Sequence, residues 1–227
     1  MDVKTREADL SPRYSLIALD MDMTLVPVET LVVLARARGC GPEVARITAR
    51  AMAGEIDFRG ALTRRVALLR GMEAREVARL ARGLRPRPGA ADVIREFRRR
   101  GLSVALVTGG FHEVADPIAH RLGITDVAAN TLEVRKGRLT GRVRGPLQTP
   151  GAKARALRDL ARRTGTDLAR TIAVGDGAND IPMLRAAGLS IAFGRNPEVA
   201  RVARAGVPDR SFRRLAAVVR RACDGSN

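Results

Sequence analysis

The sequence predicts an α/β protein built on a doubly wound, mostly parallel sheet, with an inserted all-helical cap and a small β-hairpin. Short aliphatic runs recur along the 227 residues, and a helical pattern separates most of them. Aliphatic runs without polar alternation are typical of strands that helices cover on both faces. Strands and helices that alternate in this way favour a parallel sheet. One long stretch without any strand pattern indicates the cap.

The elements can be placed individually. The predicted strands occupy residues 16–19, 102–107, 127–129, 171–174 and 189–192. The predicted helices between and after them occupy residues 89–100, 112–122, 151–164, 179–187 and 210–222. Residues 132–143 alternate about Lys136 and Gly137, a pair that is typical of a hairpin turn.

The stretch 29–85 carries helical patterns only. Pro42 and Gly54 bound one helix, and Asp57 and Gly71 bound the next, because proline suits a helix start and glycine a helix end. We therefore expect three parts: a tail at 1–14, a core at 15–28 and 86–227, and a helical cap at 29–85.

Composition limits the classes of partner. A net charge of +17 invites a nucleic-acid interpretation, but the arginines spread over every predicted helix and few aromatic residues accompany them. We therefore expect no nucleic-acid partner. No apolar run approaches the roughly 20 residues that a membrane span needs, and the first residues lack an apolar signal region. These features predict a cytoplasmic protein without a membrane partner, and they leave the oligomeric state open.

Asp20 and Asp22 directly follow the first predicted strand. Side chains two residues apart along an extended segment point the same way, so the two carboxylates are expected to converge. At a separation of roughly 4 Å they would repel each other by about 4 kcal/mol. Such a pair needs a cation or strong hydrogen-bond donors nearby, which makes a metal site the first hypothesis.

Two further strands also end in polar residues. Thr108, Gly109 and Gly110 follow the second strand, and ligands of open α/β sheets bind at such carboxyl ends. A hydroxyl before two glycines at a helix start suits a phosphate group. The strand at 171–174 is followed by a run that contains Asp176 and Asp180. Carboxylate oxygens beside a phosphate point to Mg²⁺.

Lys153 differs from the other lysines of the chain. Lysine occurs only at positions 4, 136 and 153, and Lys153 alone falls in a predicted helix of the core. A compact ammonium group suits a point contact to a phosphate oxygen. The alternative is a helix lysine that faces solvent.

The order of these motifs resembles the haloacid dehalogenase superfamily of phosphotransferases. D-x-D-x-T at 20–24, then Thr108, Lys153 and the run G-D-G-A-N-D at 175–180 appear in that order. Within the superfamily the chain is most similar to the phosphoserine phosphatases. The shared patterns are A-M-x-G at 51–54, R-V-x-L-L at 65–69, G-G-F at 109–111 and V-G-D-G-A-N-D at 174–180. The resemblance implies a Rossmann-like core and covers nearly all of the chain after Tyr14.

The resemblance also implies roles for the acidic residues. Asp20 would be the nucleophile that forms an aspartyl-phosphate, and Asp22 would protonate the leaving alkoxide and later activate water. Mg²⁺ would lie between Asp20, the backbone carbonyl of Asp22 and Asp176, with Asp180 in support. Phosphate contacts would come from Thr108, Gly109, Lys153 and Asn179.

Substrate specificity is expected from the cap. By resemblance, Glu29 would meet a substrate amine and Arg65 a substrate carboxylate, while Met52 and Phe58 would line the pocket. Arg65 has independent support, because helical spacing places it inside an apolar stripe, where a charge needs a partner. A carboxylate bound bidentately is one such partner. Each residue also has a purely structural interpretation. Arg65 could lie along the edge of the core, and Glu29 could be an acidic residue in the first turn of a helix. Met52 and Phe58 could simply belong to the hydrophobic core of the cap.

The sequence therefore predicts a Mg²⁺-dependent enzyme of serine biosynthesis that hydrolyses L-phosphoserine to serine and phosphate. Met23 stands where phosphoserine phosphatases typically carry serine. The first alternative is the same chemistry on another small phosphomonoester, or phosphoryl transfer to an alcohol such as homoserine. A distant alternative is a basic nucleic-acid-binding protein without enzymatic activity.

Overall fold

A mixed sheet runs through the computed structural model, which describes residues 13–149 and 151–225. Most of the predicted tail at 1–14 therefore lies outside the described residues. The strands of the described part are β1 (Leu16–Leu19), β2 (Ser103–Phe111), β3 (Asp126–Arg135), β4 (Arg138–Arg144), β5 (Thr171–Gly175), β6 (Leu189–Ala192) and β7 (Ala205–Gly206). They pair in the order β4-β3-β2-β1-β5-β6-β7. Only the hairpin pair β3–β4 is antiparallel, so the predicted fold class is confirmed.

Helices cover both faces of this sheet. They are α1 (Thr30–Arg38), α2 (Gly41–Met52), α3 (Phe58–Ala67), α4 (Ala74–Gly83), α5 (Ala90–Arg99), α6 (His112–Leu122), α7 (Ala152–Arg163), α8 (Ile181–Ala186), α9 (Pro197–Val202) and α10 (Phe212–Asp224). Within the described ranges, every helix is too short or too polar to cross a lipid bilayer.

Strand β1 shows why its sequence is aliphatic throughout. Ile17 and Leu19 pack into one hydrophobic cluster, whereas Leu16 and Ala18 pack into a second cluster on the opposite face. All four residues are almost fully buried. Because successive side chains of a strand point to opposite faces, a strand between two helical layers carries no polar position.

The register of the central strands positions the candidate site. Leu19 of β1 pairs with Leu106 of β2 on one side and with Val174 of β5 on the other. The backbone N–H of Asp20 still donates to the carbonyl of Val174 at 3.0 Å. The segments that follow these three strands therefore leave the sheet at the same edge.

The helical segment α1–α4 follows β1 in the chain, and the turn between α3 and α4 contacts the hairpin. The backbone N–H of Gly71 donates to the carbonyl of Leu139 at 2.9 Å, and Leu139 N–H donates to the carbonyl of Met72 at 2.8 Å. The segment predicted to be helical throughout thus includes a short strand-like contact with β4. The bounds 29–85 for the cap stay a prediction.

Several element bounds differ from the prediction. Strand β2 extends to Phe111 and β3 extends to Arg135, where it continues into the hairpin. The glycine loop predicted after Val107 is a strand end with a shifted register between Val107 and Phe111. Two short elements, α9 and β7, were not predicted, because six and two residues are too few to show a period. A 3₁₀ turn at Ala178–Asp180 precedes α8.

Candidate active site

Three predicted metal ligands meet at the carboxyl edge of the sheet. Asp20 follows β1, Asp176 follows β5, and Asp180 ends the 3₁₀ turn after it. One carboxylate oxygen of each residue lies within 4.8 Å of those of the other two. Asp20 and Asp180 are buried, and Asp176 is half-buried. Clustered carboxylate oxygens are ligands suited to a hard divalent cation.

Lys153 lies inside this cluster rather than in solvent. It sits in the first turn of α7, and its ammonium group donates to Oδ1 of Asp20 and Oδ1 of Asp180, each at 2.5 Å. The side chain is almost completely buried, so the alternative of a solvent-facing lysine is wrong. Burial alone would lower the pKa of Lys153, but the charges of Asp180 and Asp20 outweigh it and raise the pKa.

The acidic groups of the site are not fully neutralised by the cations near them. Burial raises the pKa of Asp20 well above its ordinary range, and the charge of Asp180 raises it further, although Lys153 opposes both. Burial and the charge of Asp180 also raise the pKa of Asp176, although Arg210 pairs with it at 3.0 Å. Burial and the neighbouring carboxylate therefore both disfavour the charged forms of Asp20 and Asp176, and a bound cation would stabilise those forms.

Asp22 lies near the cluster but does not join it. The hydroxyl of Thr30 donates to its Oδ2 at 3.1 Å, while its buried Oδ1 has no hydrogen-bond partner in the described part of the chain. Burial, followed by the charge of Glu29, raises the pKa of Asp22 to about 7. This carboxyl group can therefore hold or release a proton near neutral pH, as a general acid and base requires.

Arg87 holds the loop that carries Asp22. Its guanidinium group donates to the carbonyls of Met23 at 2.9 Å and Thr24 at 3.0 Å. Met23 adopts a φ of 56°, in the left-handed region that side chains other than glycine rarely occupy. The hydroxyl of Thr24 donates to Oδ1 of Asp176 at 3.2 Å and thereby ties the loop to the acidic cluster.

Three of the four predicted phosphate-binding residues, Gly109, Lys153 and Asn179, line a cavity of about 230 Å³, whereas Thr108 does not line it. Phe58 reaches it from helix α3. Thr108 is buried, and its Oγ1 accepts the N–H of Gly110 at 2.9 Å, so its side chain is turned toward its own loop. The cavity therefore combines glycine backbone, an amide and an ammonium group next to Asp20.

Arg65 and Glu29 approach the same site from the helical segment. The Arg65 guanidinium group is half-buried, and its Nε donates to the carbonyl of Ala61 at 3.2 Å. It forms no ion pair with any residue that the structure describes. Burial lowers the pKa of Arg65, while the charges of Glu29 and Asp22 oppose that shift. Neither Arg65 nor Glu29 lines the cavity. An arginine with free donors this close to Asp22 is nevertheless available to bind an anion.

Glu29 precedes helix α1 and is exposed to solvent. Partial loss of solvent around its carboxylate, and then the charge of Asp176, raise the pKa of Glu29, while the charge of Arg65 opposes the shift. Phe58 is half-buried and lies outside the two hydrophobic clusters of the described residues, which argues against plain cap core. The side chain of Met52 lies outside the described part of the structure.

The sequence pattern of the haloacid dehalogenase-like hydrolases matches residues 17–185 of the chain. The chain belongs to this family. The resemblance drawn from the four motifs is therefore confirmed.

Several curated relatives of this chain are named phosphoserine phosphatases. The chain is 45% identical over 208 residues to a phosphoserine phosphatase of Streptomyces coelicolor, covering 91% of this chain and 51% of that one. It is 46% identical over 190 residues to that of Streptococcus thermophilus, covering 84% and 88% respectively. The chain spans about half the length of the Streptomyces coelicolor and Mycobacterium tuberculosis relatives.

Solved structures agree with this relationship. A phospho-aspartyl intermediate analogue of phosphoserine phosphatase superposes with a TM-score of 0.85 at 38% identity, covering 91% of the hydrolase and 99% of that chain. A substrate-bound phosphoserine phosphatase complex superposes with a TM-score of 0.84 at 38% identity, covering 90% and 98%.

Sequence patterns do not reveal the residues that support this site. Arg87 and Arg210 are two among many arginines, and Thr30 follows Glu29 without a distinguishing pattern of its own. Their roles depend on contacts across 63 residues for Arg87 and 34 residues for Arg210. Only the left-handed φ of Arg210, at 53°, sets it apart, and the sequence gives no sign of that conformation.

The raised pKa of Asp22 predicts a pH-dependent stability of the metal-free hydrolase. The folded protein keeps a proton on Asp22 up to about pH 7, whereas the unfolded chain loses it near 3.8, the ordinary pKa of an aspartate. The folded state therefore binds more protons in this window, and the free energy of unfolding falls as pH rises through it, by up to about 4 kcal/mol.

Replacing Asp22 by Asn removes this titration. Urea unfolding in chelator should show Asp22→Asn to be more stable than the wild type at pH 8 and little different at pH 4. The exposed Asp159→Asn is the matched control. An unchanged difference between wild type and Asp22→Asn across the pH range would contradict the assignment.

Proposed function

We propose that the chain is a Mg²⁺-dependent phosphomonoesterase that hydrolyses L-phosphoserine to serine and phosphate through an aspartyl-phosphate on Asp20. The observation that carries the proposal is the buried Asp20 carboxylate, which contacts Lys153 and lies beside a cavity lined by Gly109 and Asn179. The choice of substrate is supported by the relatives, which are named phosphoserine phosphatases and include one that the chain covers over 88% of its length.

The residues of the site fit a divalent cation. Asp20 and Asp176 would hold Mg²⁺ together with the backbone carbonyl of Asp22, and Asp180 would support them from behind. Both oxygens of Asp180 already accept hydrogen bonds, one from Lys153 and the other from the backbone N–H groups of Asp176 and Gly177. When bound, Mg²⁺ supplies positive charge for the phosphoryl oxygens.

Lys153 orients the proposed nucleophile. Its ammonium group binds Oδ1 of Asp20, so Oδ2 is the atom that we propose attacks phosphorus. As the new O–P bond forms, the bond from phosphorus to the serine oxygen breaks. Lys153 and the backbone at Gly109 would then face the transferred phosphoryl group and bind its charge.

Asp22 supplies and recovers the proton. Its carboxyl group is partly protonated at neutral pH, because its pKa is about 7. In the first step it would donate that proton to the departing serine oxygen. In the second step the resulting carboxylate would take a proton from the water that attacks the aspartyl-phosphate, which restores Asp20 and releases phosphate.

The helical segment would select the substrate. The unpaired donors of Arg65 suit the substrate carboxylate, and Glu29 suits its ammonium group. Phe58 would form an apolar wall of the cavity, and Met52 stays a predicted pocket residue. The helical cap at 29–85, as the part that sets substrate specificity, and the cytoplasmic location likewise remain proposals from the sequence.

A second candidate is the same chemistry on another small phosphomonoester. The observation that favours it is Met23, whose left-handed backbone and bulky side chain lie next to Asp22 where phosphoserine phosphatases typically carry serine. The two candidates differ in whether Arg65 contributes to binding of a substrate carboxylate.

Asp20→Asn should reduce phosphate release from phosphoserine by at least about 10⁴-fold, because an amide oxygen cannot serve as the nucleophile. The measurement is phosphate release in Mg²⁺, with the exposed Asp159→Asn as control. Sustained turnover in a preparation of Asp20→Asn shown by mass spectrometry to be unreverted would exclude the covalent route.

Arg65→Ala should lower kcat/KM for phosphoserine by about 100-fold but should change kcat/KM for phosphoethanolamine, which lacks a carboxylate, by less than about threefold. The exposed Arg64→Ala, one residue earlier on the same helix, is the matched control. Equal losses on both esters would favour the second candidate, because they would show that Arg65 does not read a carboxylate.

A further inference from the structure

Asn130 is a fully buried amide in strand β3, behind the wall of the cavity. Its Nδ2 donates to the carbonyl of Gly109 at 3.0 Å and to the carbonyl of Leu147 at 3.1 Å. Its Oδ1 accepts the N–H of Leu147 at 2.9 Å. One side chain therefore joins two backbone segments that are distant in the sequence.

Both of these segments reach the phosphate side of the site. Gly109 and Leu147 line the cavity together with Lys153. Gly109 directly follows Thr108, and the chain from Leu147 leads through Thr149 into the helix that carries Lys153. Asn130 thus connects the glycine wall with the segment that precedes the lysine.

Gly145 shows how closely the second segment packs on Asn130. Its φ is 120°, and a Cβ at this position would lie 2.8 Å from the Cα of Asn130 and 3.0 Å from its Oδ1. Only a glycine lets the backbone pass at this distance. The close packing of the turn after β4 on Asn130 therefore depends on Gly145 as well as on the hydrogen bonds of the amide.

We propose that Asn130 is a positioning residue for phosphoryl binding, which sets the separation between Gly109 and the segment leading to Lys153. The inference rests on the proposed function and adds a residue to it. Without the amide, two buried carbonyls and one N–H group would lose their partner, and both segments would shift to find others.

Asn130 makes no direct hydrogen bond to the proposed metal ligands. Asp20 follows β1, Asp176 follows β5, and their hydrogen-bond partners include Lys153, Thr24 and Arg210 but not Asn130. A positioning role for Asn130 therefore predicts weaker phosphate binding with unchanged metal binding. If Asn130 only stabilises the fold, its replacement should weaken both phosphate binding and metal binding, or should leave both unchanged.

The test uses the full chain as Asn130→Asp and Asn130→Ala. Inorganic phosphate is titrated as a competitive inhibitor and by calorimetry in Mg²⁺, and Mn²⁺ affinity is measured by electron paramagnetic resonance. We expect phosphate affinity to fall by roughly tenfold or more and Mn²⁺ affinity to change by less than about twofold. Ser190→Ala is the control, because Ser190 is another buried side chain that accepts a backbone N–H, that of Arg204, away from the cavity.

Wild-type phosphate affinity in both variants, or an equal loss of Mn²⁺ and phosphate binding, would overturn the proposal. Should the Asn130 variants not fold, Gly145→Ala keeps the amide and displaces the segment, and it should weaken phosphate binding in the same selective way. Phosphoserine turnover by the wild type is scored separately. Its absence would refute the proposed function, whereas the phosphate comparison alone decides the role of Asn130.

Discussion

A single buried ammonium group shared by two buried carboxylates organises this site. Lys153 contacts Asp20 and Asp180 together, and Asp176 lies within reach of both. Burying charges is unfavourable unless they are paired, and here the acids outnumber the buried cation. Burial, followed by the charge of Asp180, raises the pKa values of Asp20 and Asp176, and a second, divalent cation would stabilise their charged forms.

The parallel sheet makes this concentration of charge possible. Strands β1, β2 and β5 end at one edge, so short polar segments separated by many residues converge there without long loops. Contacts from outside the strands then fix each segment. Arg87 holds the Asp22 loop, Arg210 holds Asp176, and Asn130 holds Gly109. The proposed catalytic residues thus lie at strand ends, and hydrogen bonds from residues outside those ends fix their positions.

The sequence predicts the features that a local pattern of residues encodes, such as buried strands and an unusual residue type. The bounds of β1 and β6 match, since aliphatic runs define buried strands, and Lys153 was identified because lysine is rare in this chain. Short elements such as α9 and β7 carry too few residues for a period. Arg87, Arg210 and Asn130 were missed because their partners are backbone carbonyls or carboxylates far along the chain, and no local pattern reports such contacts.

Calorimetric titration of Mg²⁺ into the chelator-treated protein near pH 7.5 measures whether the acidic cluster binds a divalent cation. We expect one ion per chain, and an affinity at least roughly tenfold weaker in Asp176→Asn than in the wild type or in the exposed Asp159→Asn. The cluster is not a metal site if the wild-type protein binds no Mg²⁺ at millimolar concentration, or if Asp176→Asn binds it equally well.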